Sequence, residues 1–260
     1  WTCGDTLYLS VPFTWLLDEA EKLAKDHKGP VIAGGPAVKL AGATWAETPD
    51  SVPFDTLACH NPMATFTTRG CPNQCRFCAV PKIEGELKQL PTWKPAPLVC
   101  DNNIMAATFY HFQNVITSLR DFLYCDFNQG LDARRFTSKH AGEIAKLHGC
   151  KVRFAFDHVR SESAVAGAIE TARAAGLRDL SVYVLEGFED APEDALYRMN
   201  LAWDVWKVEV CPMRYQPLDT KVKDSYVAPG WTDSQLSLMA RFFWRRRFWR
   251  KFTFEQWLDA

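Results

Sequence analysis

Residues 64–85 read ATFTTRGCPNQCRFCAVPKIEG, a β-branched and aromatic run that ends at Gly70 and opens into a loop carrying Cys71, Cys75 and Cys78. The run 64–70 has the composition of a strand, because Thr and Phe fit a pleated surface. The loop spaces its thiols Cys-x3-Cys-x2-Cys and sets Phe77 immediately before the third. Three thiolates within one short turn can face a single point, and thiolates are the ligands that soft metals and iron–sulfur clusters prefer. Cys71, Cys75 and Cys78 are therefore the candidate catalytic and metal-ligating residues.

Outward from this loop, short apolar runs alternate with helical patterns, which argues for βα units and a parallel sheet. The runs 64–70, 96–103, 122–130, 151–158, 180–188 and 207–215 read as six strands, each apolar along its length and polar at its C-terminal end. Helices are expected through Ile116, from about Ser138 to Leu147, over 161–176 with Gly176 as its C-terminal cap, and from Ala191 onward. In α/β sheets and barrels, ligands gather at the C-terminal ends of the strands.

The cysteine spacing, the aromatic before the last cysteine and the Arg-Gly-Cys-Pro entry resemble the signature of the radical S-adenosylmethionine (SAM) superfamily. The resemblance covers about residues 64–218 and implies an α/β fold, a partial (β/α)6 TIM-like barrel. It implies a [4Fe-4S] cluster on Cys71, Cys75 and Cys78, with the methionine part of SAM on the remaining iron. Reductive cleavage of SAM to a 5′-deoxyadenosyl radical would follow, with a reductant protein such as flavodoxin or ferredoxin as partner. SAM-binding candidates carry over by position at the strand ends. Asp101, Asn102 and Asn103 end strand two, where many members carry a Gly-Gly-Glu type motif for the methionyl amino group; this chain lacks the glycines. Asn128, Gln129, Asp132 and Arg134 follow strand three, and Asp157 ends strand four on the side of the ribose. Leu185 and Gly187 on strand five and Met213 on strand six lie where the family packs the adenine, with Phe77 beside the cluster. Glu84 and Gly85, just past the loop, would line the mouth or stand as solvated loop residues. An Asp or Asn at a strand end is equally a turn former or a helix cap.

A zinc site is the competing reading of the same thiols, with Cys59, His60 or Cys100 as fourth ligand, although paired Cys-x2-Cys knuckles are lacking. In that case the protein would be a non-catalytic zinc-binding module. Cys3, Cys59, Cys100, Cys125, Cys150 and Cys211 read as buried thiols; Cys211 is the one to test as an acceptor in the chemistry. No second cysteine-rich motif announces an auxiliary cluster.

Residues 1–62 read as an α/β extension: an amphipathic helix, then the strand PVIAGGP, a βαβ fragment. It looks like the end of a cobalamin-binding domain, yet about 60 residues is short for a doubly wound domain, and the Asp-x-His-x-x-Gly motif is lacking. A remnant is expected, and bound cobalamin is not. Gly34 and Gly35 lack the rest of a phosphate-binding loop.

The barrel is expected over 63–218, and the remainder, 219–260, is a loop followed by a basic–aromatic helix. There Arg241, Arg245, Arg246, Arg247, Arg250 and Lys251 alternate with Phe242, Phe243, Trp244, Phe248 and Trp249. Basic side chains supply phosphate contacts and aromatics stack on unpaired bases, so Arg241, Arg245, Arg246, Trp249 and Arg250 are candidates for a DNA or RNA surface. The other reading is a helix whose aromatics pack on the barrel. A modified base in DNA or RNA is the favoured substrate, for rearrangement or carbon-centred modification. A small molecule, with or without cobalamin-dependent methyl transfer, is the alternative.

The 260 residues are 47% hydrophobic and 23% charged with a formal net charge of −1, which leaves no overall basic footprint. Nine cysteines without a regular framework point to a reducing compartment rather than a disulfide scaffold. No apolar run approaches the roughly 20 residues of a membrane span and no signal peptide pattern is seen, so a cytoplasmic protein is expected.

Overall fold

The computed structural model describes residues 1–52 and 54–259. The chain divides into two compact units: Trp1–Pro62, Asn73–Gly85 and Gln216–Tyr226 form one, and Met63–Pro72, Glu86–Tyr215 and the chain from Val227 onward form the other.

In the first unit, strands β1 (Thr2–Cys3), β2 (Thr6–Ser10) and β3 (Val31–Gly34) pair in that order. β2 and β3 run parallel, Leu7 opposite Val31 and Ser10 opposite Gly34, joined by helix α1 (Leu17–Asp26). This is the βαβ fragment expected from the sequence. Two-residue β1, antiparallel to β2, has too short a period to be read. Helix α1 puts Asp18 and Glu19 in its first turn and Lys25 in its last, matching the helix dipole. It buries Ala20 against Val11, Ala33, Ala37 and Val38. Helix α2 (Pro36–Ala41) starts at the Gly-Gly-Pro. Gly35 has φ +99°, and a Cβ there would lie 2.7 Å from the Val11 carbonyl oxygen. The glycine thus serves a close backbone crossing, and Pro36 occupies the first helical turn, where its missing N–H costs nothing. Helix α3 (Thr56–His60) is capped by Asp55, which accepts from the Leu57 and Ala58 amides at 3.0 and 3.1 Å. Helix α4 (Val80–Ile83) follows Cys78. Thr14 Oγ1 donates to the Thr220 carbonyl at 2.6 Å, holding the 216–226 segment within this unit.

In the second unit, β4 (Ala64–Thr65), β7 (Leu98–Val99), β8 (Cys125–Leu131), β9 (Cys150–Ala155), β10 (Asp179–Glu186) and β11 (Glu209–Arg214) form a six-stranded sheet, neighbours following chain order. Every pairing is parallel. Helices α5 (Phe109–Leu119), α6 (Ser138–Ile144), α7 (Glu162–Ala174) and α8 (Pro192–Asn200) alternate with the strands, and α9 (Asp233–Trp244) and α10 (Phe254–Leu258) follow them. Among the described residues no ladder joins β4 to β11, so the sheet is open and a closed barrel is not formed. One face carries Phe127, Val152, Phe154, Val182, Val184 and Val210, each at most 1% exposed. Phe136, just before α6, packs edge-on against Phe154 at 5.0 Å. Helix α7 ends as its sequence foretells: Gly176 has φ +91°, and the Leu177 amide bonds back to the Ala172 carbonyl at 3.0 Å.

Three expectations are corrected. The strand expected over 64–70 is two pieces, β4 and β5 (Thr68–Arg69), and β5 pairs antiparallel with β6 (Lys88–Gln89) in a separate ribbon. The break has a cause: the Thr67 and Thr68 amides donate to the Asp101 carboxylate, at 2.6 and 2.7 Å, instead of to a neighbouring strand. The strand expected over 96–103 shortens to Leu98–Val99 for the same reason, since Asp101 turns away to make these bonds. Finally, the basic–aromatic segment is not one helix. Helix α9 stops at Trp244, a 3-10 turn spans Arg246–Phe248, and α10 starts after Thr253, whose hydroxyl accepts from the Gln256 amide at 3.2 Å. Arg246 causes the break by turning inward. It is 5% exposed, donates to the Trp249 carbonyl at 2.6 Å and lies 4.9 Å from the Phe242 ring centroid.

No helix among the described residues is long and apolar enough to cross a membrane.

Candidate functional site

The loop that carries Cys71 is anchored by Asp101. This carboxylate is 4% exposed and accepts from both Thr67 and Thr68 amides and from the Thr67 hydroxyl. Burial pushes its pKa up against these hydrogen bonds, which pull it down. His111 Nε2 reaches the same Thr67 hydroxyl at 3.2 Å. Asp101 therefore serves as a backbone clamp. Gly70, φ +76°, then turns the chain into Cys71.

Asn103 lies two residues past the clamp and is 5% exposed. Its Nδ2 donates to Cys71 Sγ at 3.4 Å. It precedes the 3-10 turn Ile104–Ala106 without capping it, so its amide is spent on the sulfur. In the first unit, the Cys78 amide donates to the Cys75 carbonyl at 3.0 Å, a tight turn that sets these two thiols three positions apart. Among the described residues, no three His, Cys, Asp or Glu side chains converge into a group that would hold a metal ion. By composition, three thiols in eight residues are a donor set of the kind that suits a soft metal or an iron–sulfur cluster. Cys59 and His60, the suggested zinc ligands, are exposed, and Cys100 is buried with its thiol pushed up to about 11, chiefly by burial.

The remaining candidates sort by the parity of the strands. The face opposite the apolar one carries Asp126, Lys151, Arg153, Tyr183 and Cys211, by register. Arg153 forks onto Asp126, Nε to Oδ1 at 3.0 Å, and lies 5.7 Å from the Tyr183 ring centroid. Lys151 pairs with Glu209 and, at 3.7 Å, with Asp179. Farther toward the C-terminal ends, Tyr183 donates to the Asn128 carbonyl at 2.8 Å, and Leu185 stands opposite Met213, which is 45% exposed. Asp157 follows β9, its pKa raised to about 6 by burial against the pull of Arg198 and Arg134. Gln129 is exposed, and Arg134 is bonded to Asp132 at 2.7 and 2.8 Å.

Sequence reading missed the polar residues on the helix-packed face. Arg198 of α8, fully buried, donates to the Phe156 carbonyl at 2.7 Å and the Leu185 carbonyl at 2.8 Å and pairs with Asp190. It thereby ties together the C-terminal ends of β9 and β10. Beside it Glu186 is 0% exposed, and among the described residues neither of its oxygens has a hydrogen-bond partner. Its signal was legible in the run Leu-Glu-Gly-Phe, an acid closing an apolar strand.

Buried thiols account for Cys100, Cys125 and Cys211, whereas Cys3 and Cys59 are exposed, correcting the expectation for those two. Burial also raises the Cys211 thiol, with Glu209 adding to the rise and Arg153 opposing it. In the C-terminal segment Arg241, Arg245 and Arg250 are exposed and Trp249 is half-buried; Arg246 is withdrawn into its cage of rings, which removes it from any surface.

No family model matches the chain, and no curated protein is similar to it.

Proposed function

We propose that the chain is a radical SAM enzyme, with its six parallel strands as a partial (β/α)6 barrel. The observation that carries the reading is the position of Cys-x3-Cys-x2-Cys: it comes after β4, the first strand of a parallel sheet whose strands lie in chain order, with only the two-residue ribbon strand β5 between them. Ligands of such sheets sit at the C-terminal strand ends. Cys71, Cys75 and Cys78 would hold a [4Fe-4S] cluster. When bound, cluster and SAM supply an electron source and a 5′-deoxyadenosyl radical able to take hydrogen from an unactivated carbon.

The chain's own residues contribute positioning. Asn128 in the middle of β8, Asp157 just past β9, and Leu185 and Met213 near the C-terminal ends of β10 and β11 would offer a mixed polar and apolar lining for a nucleoside. Phe77 would pack beside the cluster, and Asn102 and Gln129 would add polar contacts. The substrate we favour is a base in DNA or RNA, because Arg241, Arg245 and Arg250 are exposed together with Trp244 and Phe248 at 55% and 69%. Cations beside exposed rings suit phosphate and unpaired bases.

The test is anaerobic reconstitution with iron, sulfide, SAM and a strong reductant, with and without DNA or transfer RNA. Deoxyadenosine that rises with nucleic acid supports the whole reading; deoxyadenosine indifferent to nucleic acid moves the substrate to small molecules. A colourless protein with stoichiometric zinc and no deoxyadenosine overturns it.

A further inference from the structure

We propose that Asn103 is a positioning residue for Cys71, its amide N–H fixing the sulfur's orientation and tuning the charge that the sulfur carries when it ligates a metal centre. The inference rests on the functional reading above for the identity of that centre, but the contact itself is independent of it.

Three observations lead to it. Asn103 Nδ2 donates to Cys71 Sγ at 3.4 Å, and both residues are buried, at 5% and 9% exposed. The usual occupation of an asparagine before a helical turn is to cap it, and Asn103 does not. Both sides of the contact are held: Asp101, two residues before Asn103, grips the amides of Thr67 and Thr68, four and three residues before Cys71. Ile104 and Met105, at 1% and 4% exposed, pack immediately after Asn103. A conformation fixed from both ends keeps one N–H aimed at one sulfur.

A buried donor aimed at a thiolate acts through the sulfur. It stabilises negative charge there, and hydrogen bonds to ligating sulfurs are among the factors that set a cluster's reduction potential. The more reduced state carries more negative charge, so it gains more from the donor. Removing the donor lowers the potential and makes the centre harder to reduce. Asn103 Oδ1, buried and without a hydrogen-bond partner, is left as an open acceptor beside the same sulfur. A buried acceptor of that kind is costly unless a donor meets it.

The experiment uses the full chain and two variants, Asn103→Ala and the similarly sized Asn103→Leu, both of which delete the donor without adding a charge. Circular dichroism verifies folding, and either folded variant suffices. In the cluster-loaded protein, the midpoint potential is read by electron paramagnetic resonance during a redox titration. The expected result is a shift to more negative potential, on the order of tenfold in the reduction equilibrium, about 59 mV for a one-electron couple. In parallel, the metal-free chain is loaded with cobalt(II), and the thiolate-to-cobalt charge-transfer band is compared. Loss of the donor makes the thiolate a stronger electron donor and moves the band to longer wavelength.

If the wild type takes up cobalt through its cysteines but forms no iron–sulfur cluster, the radical reading fails and the cobalt band alone judges Asn103. An unshifted potential and band in a folded variant overturn the proposal, as does a wild type that binds neither centre.

Discussion

Glu186 offers a sharp test of the energetics of the second unit. The residue is 0% exposed and among the described residues neither carboxyl oxygen has a hydrogen-bond partner. Burial, and then Asp190, push its pKa from the usual 4.5 to about 8, with Arg214 and Arg198 opposing. A carboxyl group whose folded pKa is raised binds more protons in the native state than in the unfolded one, so its contribution is greatest below pH 4.5 and is lost as pH rises toward 8. Within that window stability falls by about 1.4 kcal/mol per pH unit on account of this one group. Glu186→Gln keeps the shape and removes the titration. Between pH 5.5 and pH 7.5 the stability of the variant relative to wild type should rise by roughly 2.7 kcal/mol. Other titrating groups such as Asp157 are common to both proteins and cancel in the comparison.

The assay is urea denaturation at pH 5.5, 6.5 and 7.5, monitored by far-ultraviolet circular dichroism, with the transition of the sheet-bearing unit fitted separately if two steps are seen. Parallel pH profiles for the two proteins would refute the reasoning, because they would mean that Glu186 is ionised in the native state or finds a charge partner there. A variant destabilised equally at all three pH values would show the same thing: the carboxyl group would be serving as a hydrogen-bonding group rather than waiting as an unpaired acid.

Asp101→Ala leaves the Thr67 and Thr68 amides without their acceptor, at about 1–3 kcal/mol for each orphaned group; urea melts should show the loss, and hydrogen exchange should accelerate at those two amides before others. Arg198→Met breaks a buried pair and strands Asp190, an effect of about 3–5 kcal/mol, and lowering the pH should partly rescue it as Asp190 takes up a proton. The triple change Arg241→Gln, Arg245→Gln and Arg250→Gln should weaken binding to single-stranded DNA or RNA and flatten its dependence on salt, by a slope of about 0.7 for each phosphate no longer neutralised; Arg246→Gln should instead destabilise the fold. An unchanged salt slope in the triple variant would remove the nucleic-acid surface from the proposal.

The parts of the fold that were legible in the sequence are those where local pattern and tertiary role coincide. Strands β8 to β10 alternate buried and half-buried residues along runs such as Val152-Arg153-Phe154, and Gly176 marks the end of α7 through its own backbone freedom. What was hidden depends on partners far away in the chain. Thr67 and Thr68 have excellent strand composition, yet a carboxylate 34 and 33 residues on takes their amides where β4 gives way to the separate ribbon strand β5. No short window of sequence contains both groups. Arg246 likewise reads as one more cation in a basic run, and only the packing of Phe242, Trp203 and Asp204 around it shows that it is a core residue. Among the candidate site residues, the three cysteines stand out by spacing alone. Asp101 and Asn103, close in sequence and alike in shape, acquire different tasks because one faces two amides and the other faces a sulfur.

The polar face of the sheet changes character along its strands. Long charged side chains fill its N-terminal and middle levels, and they satisfy one another: Lys151 lies between Glu209 and Asp179, and Arg153 is forked on Asp126 with Tyr183 alongside. Breaking into these levels would separate half-buried ion pairs, so a ligand gains little there. One level farther along, the register brings Ala155, Tyr183 and Cys211 into line, and beyond them Leu185 and Met213, with Asp157 following β9. Above this charge-locked floor the side chains are mostly uncharged, and Asp157, its pKa raised by burial to about 6, is the titratable group that follows them.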